Sequence, residues 1–276
     1  MRQTQPARSH ETIVSIDAPI EDVWKYLSVA EEIARWFAPK MTVEPGVGGF
    51  VLADFGPGLE WKTFIEVWEP NRRLRLVETR DRVLSSSPVD MPLEPCRLVQ
   101  DYFLETEAGR TRLRLVHSGF GSSADWDHEY EGTRGGWAAC FFRLQQVLER
   151  HRGESVHNIL VPWQCHKIDS ARALGLIESV APMPLHIAHR HLYEFSGTLA
   201  GLNDSILTVS AQPSPIGSLA YVELLLFGLT DKETASIENG WRIRLAELFP
   251  PEAEATGTRS ATPPARVDTP IAPSTC

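Results

Sequence analysis

His117 is the residue of this chain best placed to do chemistry. It ends the run Thr111 to His117 (TRLRLVH), in which Leu113, Leu115 and His117 alternate with Arg112 and Arg114. On a strand that alternation turns the histidine to the leucine face, inward if the arginines are solvated. Asp125, Asp127, His128 and Glu129 follow shortly after. A histidine beside carboxylates can act as a general base for a cyclisation or a hydrolysis. The same histidine can instead hydrogen-bond nearby backbone and set the loop. The second reading is adopted: no catalytic residue is assigned, and His117 stands as the candidate if the chain has an activity.

The other reactive side chains point to less. Among nine histidines, His186, His189 and His191 form the tightest group, with Cys165 and His166 upstream. His186 and His189 share a helix face and His189 and His191 a strand face, but only Glu194 stands near to orient a ligating ring. Pro182 and Pro184 place the group by a loop, so solvated histidines are expected, with no metal and no cofactor. No GxSxG elbow, HExxH, Walker loop or GxGxxG before a helix occurs. Cys140, between Ala139 and Phe141, reads as a core thiol. Cys96, Cys140, Cys165 and Cys276 form no CxxC pair, which argues against a disulfide scaffold or zinc knuckle.

Charge excludes another class. Twenty-seven Lys and Arg against 36 Asp and Glu give a net charge of −9, the wrong sign for a broad phosphate-binding surface. The cationic concentration Arg72, Arg73, Arg75, Arg80 and Arg82 reads as a solvated face. No run approaches 18 apolar residues and Met1 to His10 is polar, so neither membrane insertion nor a secretory leader is expected. A reducing, cytoplasmic compartment is the expectation.

The elements that position these residues follow from periodicity. Thr12 to Asp17 alternates as a strand. Ala18-Pro19 opens a short helix with Ile20, Val23, Trp24 and Leu27 on one face. Ser28 with Glu31 has capping-box spacing for a second helix carrying Ile33, Trp36 and Phe37. Turns at Pro45 to Gly49, Gly56-Pro57-Gly58, Pro70-Asn71 and Glu107-Ala108-Gly109 separate strands that include Trp61 to Glu69, Arg73 to Arg80, Leu98 to Glu105 and Thr111 to His117. A Ser- and Pro-rich loop spans Ser85 to Pro95. From Asp125 to His151, Trp126, Tyr130, Trp137, Phe141, Leu144 and Leu148 recur at helical spacings. Gly135-Gly136 interrupts that helix at about 1 kcal/mol each relative to alanine. Close helix–sheet packing explains the pair, and so does room left for a ligand. An antiparallel sheet followed by one long amphipathic helix makes an α+β layer in which the helix fills the concavity.

Ile16-Asp17-Ala18-Pro19 with Val23-Trp24, then Ile33 to Phe37 (IARWF), Pro45 to Phe50 (PGVGGF), Glu69 to Leu74 (EPNRRL), Thr111 to Phe120 (TRLRLVHSGF) and Gly135-Gly136-Trp137 occur in this order. Together they resemble the heat-shock protein 90 ATPase activator homologue-like family of the START-like (SRPBCC) superfamily, over roughly residues 10 to 152. The resemblance implies a helix-grip fold around a deep hydrophobic pocket. Superfamily members include lipid carriers, aromatase/cyclases, hormone receptors and co-chaperones, so fold alone does not choose a function.

A second, shorter likeness is internal. Leu226-Phe227-Gly228-Leu229, then Gly240-Trp241 and a helix, repeats the order His117 to Phe120, then Gly136-Trp137 and a helix. Thr230 and Glu233 supply a capping box, and Ile237, Trp241, Leu245 and Leu248 a buried face. Strands are expected at His191 to Gly197, Ile206 to Ala211 and Ala220 to Phe227, and a helix at Asp169 to Leu176. The expected organisation is a START-like domain over 8–152, a reduced START-like half over 153–250 with a small or absent pocket, and a Pro/Ala/Thr-rich disordered tail over 251–276.

The function expected is binding or sequestration of a small hydrophobic or amphipathic ligand. The expected lining is Trp36, Phe37, Trp61, Ile65, Leu76, Tyr102, Leu115, His117, Trp126, Tyr130, Trp137 and Phe141, with entry past Gly56-Pro57-Gly58 and Gly119 to Ala124. The alternatives are a stress-related protein that meets a chaperone, or a regulator, and a cyclase- or hydrolase-type enzyme using His117. A homodimer is a possible assembly.

Overall fold

In the computed structural model the described residues are 7–56, 59–80, 96–181 and 184–250. The first unit starts with β1 (Arg8–Ile16), α1 (Ile20–Ser28) and the single-turn α2 (Ala30–Ile33). It continues through β2 (Lys40–Glu44), β3 (Phe50–Asp54), β4 (Glu60–Glu69), β5 (Arg73–Arg80), β6 (Cys96–Glu107) and β7 (Arg110–Phe120). A 3-10 turn at Ala124–Trp126 leads into the 24-residue α3 (Asp127–Arg150). The seven strands form one antiparallel sheet in the order β1-β7-β6-β5-β4-β3-β2. The last strand returns beside the first, with His10 opposite His117.

Local chemistry explains the turns. Gly46 and Gly48 adopt φ of 98° and 89° between β2 and β3, and Asn71 and Gly109 also have positive φ, at 61° and 81°, where β4 meets β5 and β6 meets β7. The capping box expected at Ser28 does not form. Val29 is the N-cap of α2, and the Ser28 hydroxyl donates back to the Trp24 carbonyl at 2.7 Å. A serine in the last turn of one helix has that carbonyl within reach before it can cap the next.

The second unit contains β8 (Val156–His166), α4 (Ser170–Ser179), β9 (Leu185–His191), β10 (Glu194–Leu199), β11 (Ser205–Ser214), β12 (Gly217–Phe227) and α5 (Asp231–Leu248). Its sheet order is β8-β12-β11-β10-β9, again antiparallel with the last strand beside the first. It repeats the plan of the first unit with five strands instead of seven. In both, helix follows the first strand (α1 and α2 in the first unit, α4 in the second) and the closing helix packs beside that strand. The Thr230–Glu233 capping box is present on α5, and Asp169 caps α4 by accepting from the Arg172 N–H. Two features differ from expectation. β8 holds Pro162 opposite Tyr221, which an edge strand tolerates because its outer N–H positions face no partner. His186, His189 and His191 lie on strand β9, where His189 and His191 are half-buried and not solvated as expected.

The units meet along α3. Its Trp137, Phe141 and Leu144 belong to the core of the first sheet, and Ile206, Leu225 and Phe227 of the second sheet complete that core. The second unit has its own core around Phe195, Leu207, Val222 and Trp241. The expected tail over 251–276 and the loop Ser85 to Pro95 lie outside the described residues. Among the described residues no helix is long and apolar enough to cross a membrane.

Candidate functional site

The first unit encloses a cavity of about 40 Å³ between the concave sheet face, the segment after α2 and the middle of α3. Of the twelve expected residues, Trp36, Phe37, Trp61, Leu76, Tyr102 and Trp137 line it. Each tryptophan is anchored by its indole N–H. Trp36 donates its indole N–H to the Tyr26 carbonyl at 2.8 Å, Trp61 to Glu78 at 2.8 Å, and Trp137 to Nδ1 of His117 at 3.1 Å. Phe37 stacks on Trp137 with ring centres 5.7 Å apart and planes 7° from parallel.

Those rings account for the small volume. The resemblance implies a deep pocket, whereas about 40 Å³ holds about three waters at ~10–15 Å³ each and falls well short of the ~300–1,000 Å³ of ordinary ligand sites. Phe37, Trp61 and Trp137 occupy the interior that a guest would need.

The remaining expected residues divide. Ile65, Leu115 and Phe141 belong to the same core but not to the cavity wall. His117, 1% exposed, stands behind Trp137, with Phe120 and His10 against its ring at 4.7 and 5.3 Å. Trp126 and Tyr130 join Leu98 and Phe120 in a separate cluster. They precede Trp137 by two to three helical turns, which at 1.5 Å per residue carries them past the cavity end. The segment Gly119 to Ala124 belongs to that cluster, since a Cβ on Gly121 would stand 2.2 Å from Trp126 Nε1. Phe55, against Phe37 at 5.8 Å, puts the other expected gate beside the cavity, with Pro57 and Gly58 themselves outside the described residues.

The carboxylates downstream of His117 turn elsewhere. Asp127 pairs with Arg8, and His128 packs its ring on Tyr193 of the second unit at 4.8 Å. For Asp125 the side chain lies outside the description. The arginine concentration is paired where described: Arg73 and Arg75 both bond Asp101, and Arg72 faces Glu69. Burial alone would raise the Asp101 pKa, but the two guanidiniums outweigh it and hold the carboxyl below its usual value. Arg80's side chain and Arg82 lie outside the described residues.

Several wall residues were not expected, among them Met41, Val51, Ala53, Thr63 and Gln100. Gln100 is the informative one. It is 2% exposed; its Oε1 accepts from the Tyr102 hydroxyl at 3.2 Å, and its Nε2 has no hydrogen-bond partner among the described residues. The strand period of Leu98, Gln100, Tyr102 and Leu104, all buried, could have revealed a polar residue at an inward position. Burial holds the Tyr102 hydroxyl well above its ordinary pKa, with the Cys140 thiol adding to the effect, so it is a neutral donor.

The back of this site touches the second unit. Arg143, on α3 and 3% exposed, pairs with Glu223 of β12, while its Nη2 donates toward the Phe37 carbonyl at 3.4 Å and Cys140 Sγ at 3.3 Å. Burial disfavours the Arg143 charge, but Glu223 and Cys140 more than offset it and hold the guanidinium above its ordinary pKa. Burial likewise pushes the Cys140 thiol up to about 11, which suits an inert core cysteine. His189 stands 3.4 Å from Glu194, and His191 stands 3.5 Å from Glu131 of α3, so both face carboxylates at the seam.

Residues 17–149 match the sequence profile described as Activator of Hsp90 ATPase homolog 1-like protein. Among solved structures, protein MLL2253 from Mesorhizobium loti is 26% identical, with 51% of this chain and 96% of that chain covered and a TM-score of 0.43. The Aha1 dimer from Colwellia psychrerythraea is 17% identical, covering 53% and 99%, with a TM-score of 0.43. DynU16, described as a putative protein in the dynemicin biosynthetic locus, is 18% identical over 87% and 95%, with a TM-score of 0.42. Among curated proteins none matches the chain. With the ordered motifs and the seven-stranded sheet closed by α3, the profile match supports the START-like resemblance of residues 17–149 to the Activator of Hsp90 ATPase homolog 1-like family.

Proposed function

We propose that the first unit binds a small apolar molecule in the helix-grip interior, which opens when Phe37 and Trp137 rotate apart. The observation that carries this reading is the closure itself: stacked side chains, not main chain, fill the space between Trp36, Leu76 and Tyr102. Side-chain rotation costs far less than displacing a strand or helix, and a guest that replaces the rings recovers apolar contact at roughly 25 cal/mol per Å². Residues 8–152 would form the binding domain. Residues 153–250, as a reduced second copy, would hold the back of α3 while the front of the site moves.

Titration with the fluorescent probe 1-aminoanthracene tests it. The expected result is saturable one-to-one binding that Ala53→Phe, which fills the cavity from β3, abolishes while the fold is kept. Unsaturable binding, or binding indifferent to Ala53→Phe, overturns the reading.

A chaperone-binding role is the second reading, and the small cavity volume favours it, because a docking protein needs no hollow. The family description names an activator of the Hsp90 ATPase, and a solved relative is described as a dimer. Stimulation of purified Hsp90 ATPase by this chain supports that role; a homodimer would appear in sedimentation equilibrium.

A further inference from the structure

We propose that the ligand of this cavity is a compact, uncharged molecule with one hydrogen-bond acceptor, a ketone or ester carbonyl, received by the side-chain amide of Gln100. This rests on the ligand-binding reading above and names the chemistry of the same site. Gln100 lines a wall that is otherwise almost wholly apolar, and it is buried with one end of its amide unused. The Tyr102 hydroxyl donates to Oε1 at 3.2 Å, so the amide is held with its Nε2 donor left for a ligand acceptor. The other polar wall side chain, Thr63, is directed to the Val51 carbonyl at 3.4 Å. A buried amide donor is worth little with water as partner in both states, but much where the alternative is to stay unpaired.

The wall also excludes classes. It contains no Asp, Glu, Lys, Arg or His, so a carboxylate or ammonium would enter without a counter-charge and lose its hydration. Fatty acids in their ionised form are therefore poor candidates. The flanking Trp36, Phe37, Trp61 and Trp137 favour a flat hydrocarbon body, since aromatic faces stack on planar groups in offset or edge geometry. A planar bicycle with one carbonyl meets all these conditions.

The experiment compares 1-indanone with indane, two bicycles of nearly equal shape that differ by the carbonyl. Both are titrated by calorimetry into wild-type protein, Gln100→Leu and the double variant Gln100→Leu/Tyr102→Phe. The double variant removes the Tyr102 hydroxyl that Gln100→Leu alone would leave unpartnered. The expected result is an indanone-to-indane affinity ratio that falls about tenfold from wild type to either variant, equivalent to about 1.4 kcal/mol. Indane-1-carboxylate should not bind any of the three. An unchanged ratio while both neutral ligands bind overturns the assignment of Gln100 and leaves the ligand reading standing; a water already serving the amide would give that outcome. If neither neutral ligand binds wild type or either variant, the ligand reading itself fails.

Discussion

Arg143 of α3 and Glu223 of β12 form an ion pair across the seam between the two sheets, and the same guanidinium reaches the carbonyl of Phe37. One buried charge thus connects the second unit to the aromatic wall of the first. Glu223→Ala leaves Arg143 buried and without its carboxylate, which should cost about 3 kcal/mol, the lower end for breaking a buried pair because Glu223 is 20% exposed. Arg143→Met/Glu223→Leu, which removes both charges, should lie much closer to wild type. Urea unfolding of the three proteins checks this; equal losses in the single and double variants would show that the unpaired Arg143 charge carries no penalty of its own.

The glycine pair in α3 separates two effects that sequence treats alike. At Gly136 an added Cβ meets nothing within 4 Å, so Gly136→Ala should stabilise the protein by about 1 kcal/mol through helix propensity. At Gly135 the same Cβ would stand 2.5 Å from Nδ1 and 3.1 Å from Cβ of His191, the last residue of β9, so it meets the ring at its root and not a flexible tip. Gly135→Ala should therefore destabilise, and adding His191→Ala should recover most of the loss. Thermal unfolding distinguishes the signs. Gly135 is thus explained by close approach, but to the second sheet and not to a ligand.

How far the fold was legible depends on whether its cause is local. Strand alternation in β7, the Thr230–Glu233 box and the long stripe of α3 act within a few residues, and the structure has them where the sequence places them. β8 was missed because Pro162 disguises an edge strand. Trp126 and Tyr130 belong to the α3 stripe, so periodicity assigns them to the cavity, yet helix length carries them into another cluster. The filling of the pocket by Phe37 and Trp137, and the seam that buries Arg143, are tertiary events with no local signature. Gln100 was legible by strand period and passed over because a buried glutamine is uncommon.

His117 and Trp137 provide a third test. His117→Leu removes the acceptor of a buried indole N–H and should cost about 1–3 kcal/mol. His117 makes other contacts too, so the single variant does not isolate the pair. In a Trp137→Phe background the orphaned donor is gone, and the further cost of His117→Leu should be smaller by about 1 kcal/mol. A cycle that closes with no coupling would mean that His117 does not hold the ring, and that its burial serves the Phe120 cluster instead.

His10 supplies the pH dependence. It is 7% exposed on β1, its Nε2 bonds the Thr133 hydroxyl at 3.1 Å, and the rings of His117, Phe120 and Tyr130 surround it. Burial, with Arg134 adding and Glu131 opposing, lowers its pKa from 6.5 to about 4. The unfolded chain therefore binds a proton at this residue before the folded chain does. Its contribution to stability is complete above pH 6.5 and is lost as pH falls through 6.5 towards 4. His10→Phe keeps an aromatic ring beside Phe120 and removes the titration, leaving Thr133 bonded to the Glu129 carbonyl. Urea midpoints measured from pH 7.5 to 4 should fall less steeply for the variant than for wild type within that window. Parallel curves would place the acid sensitivity on other groups and show that His10 is protonated equally in both states.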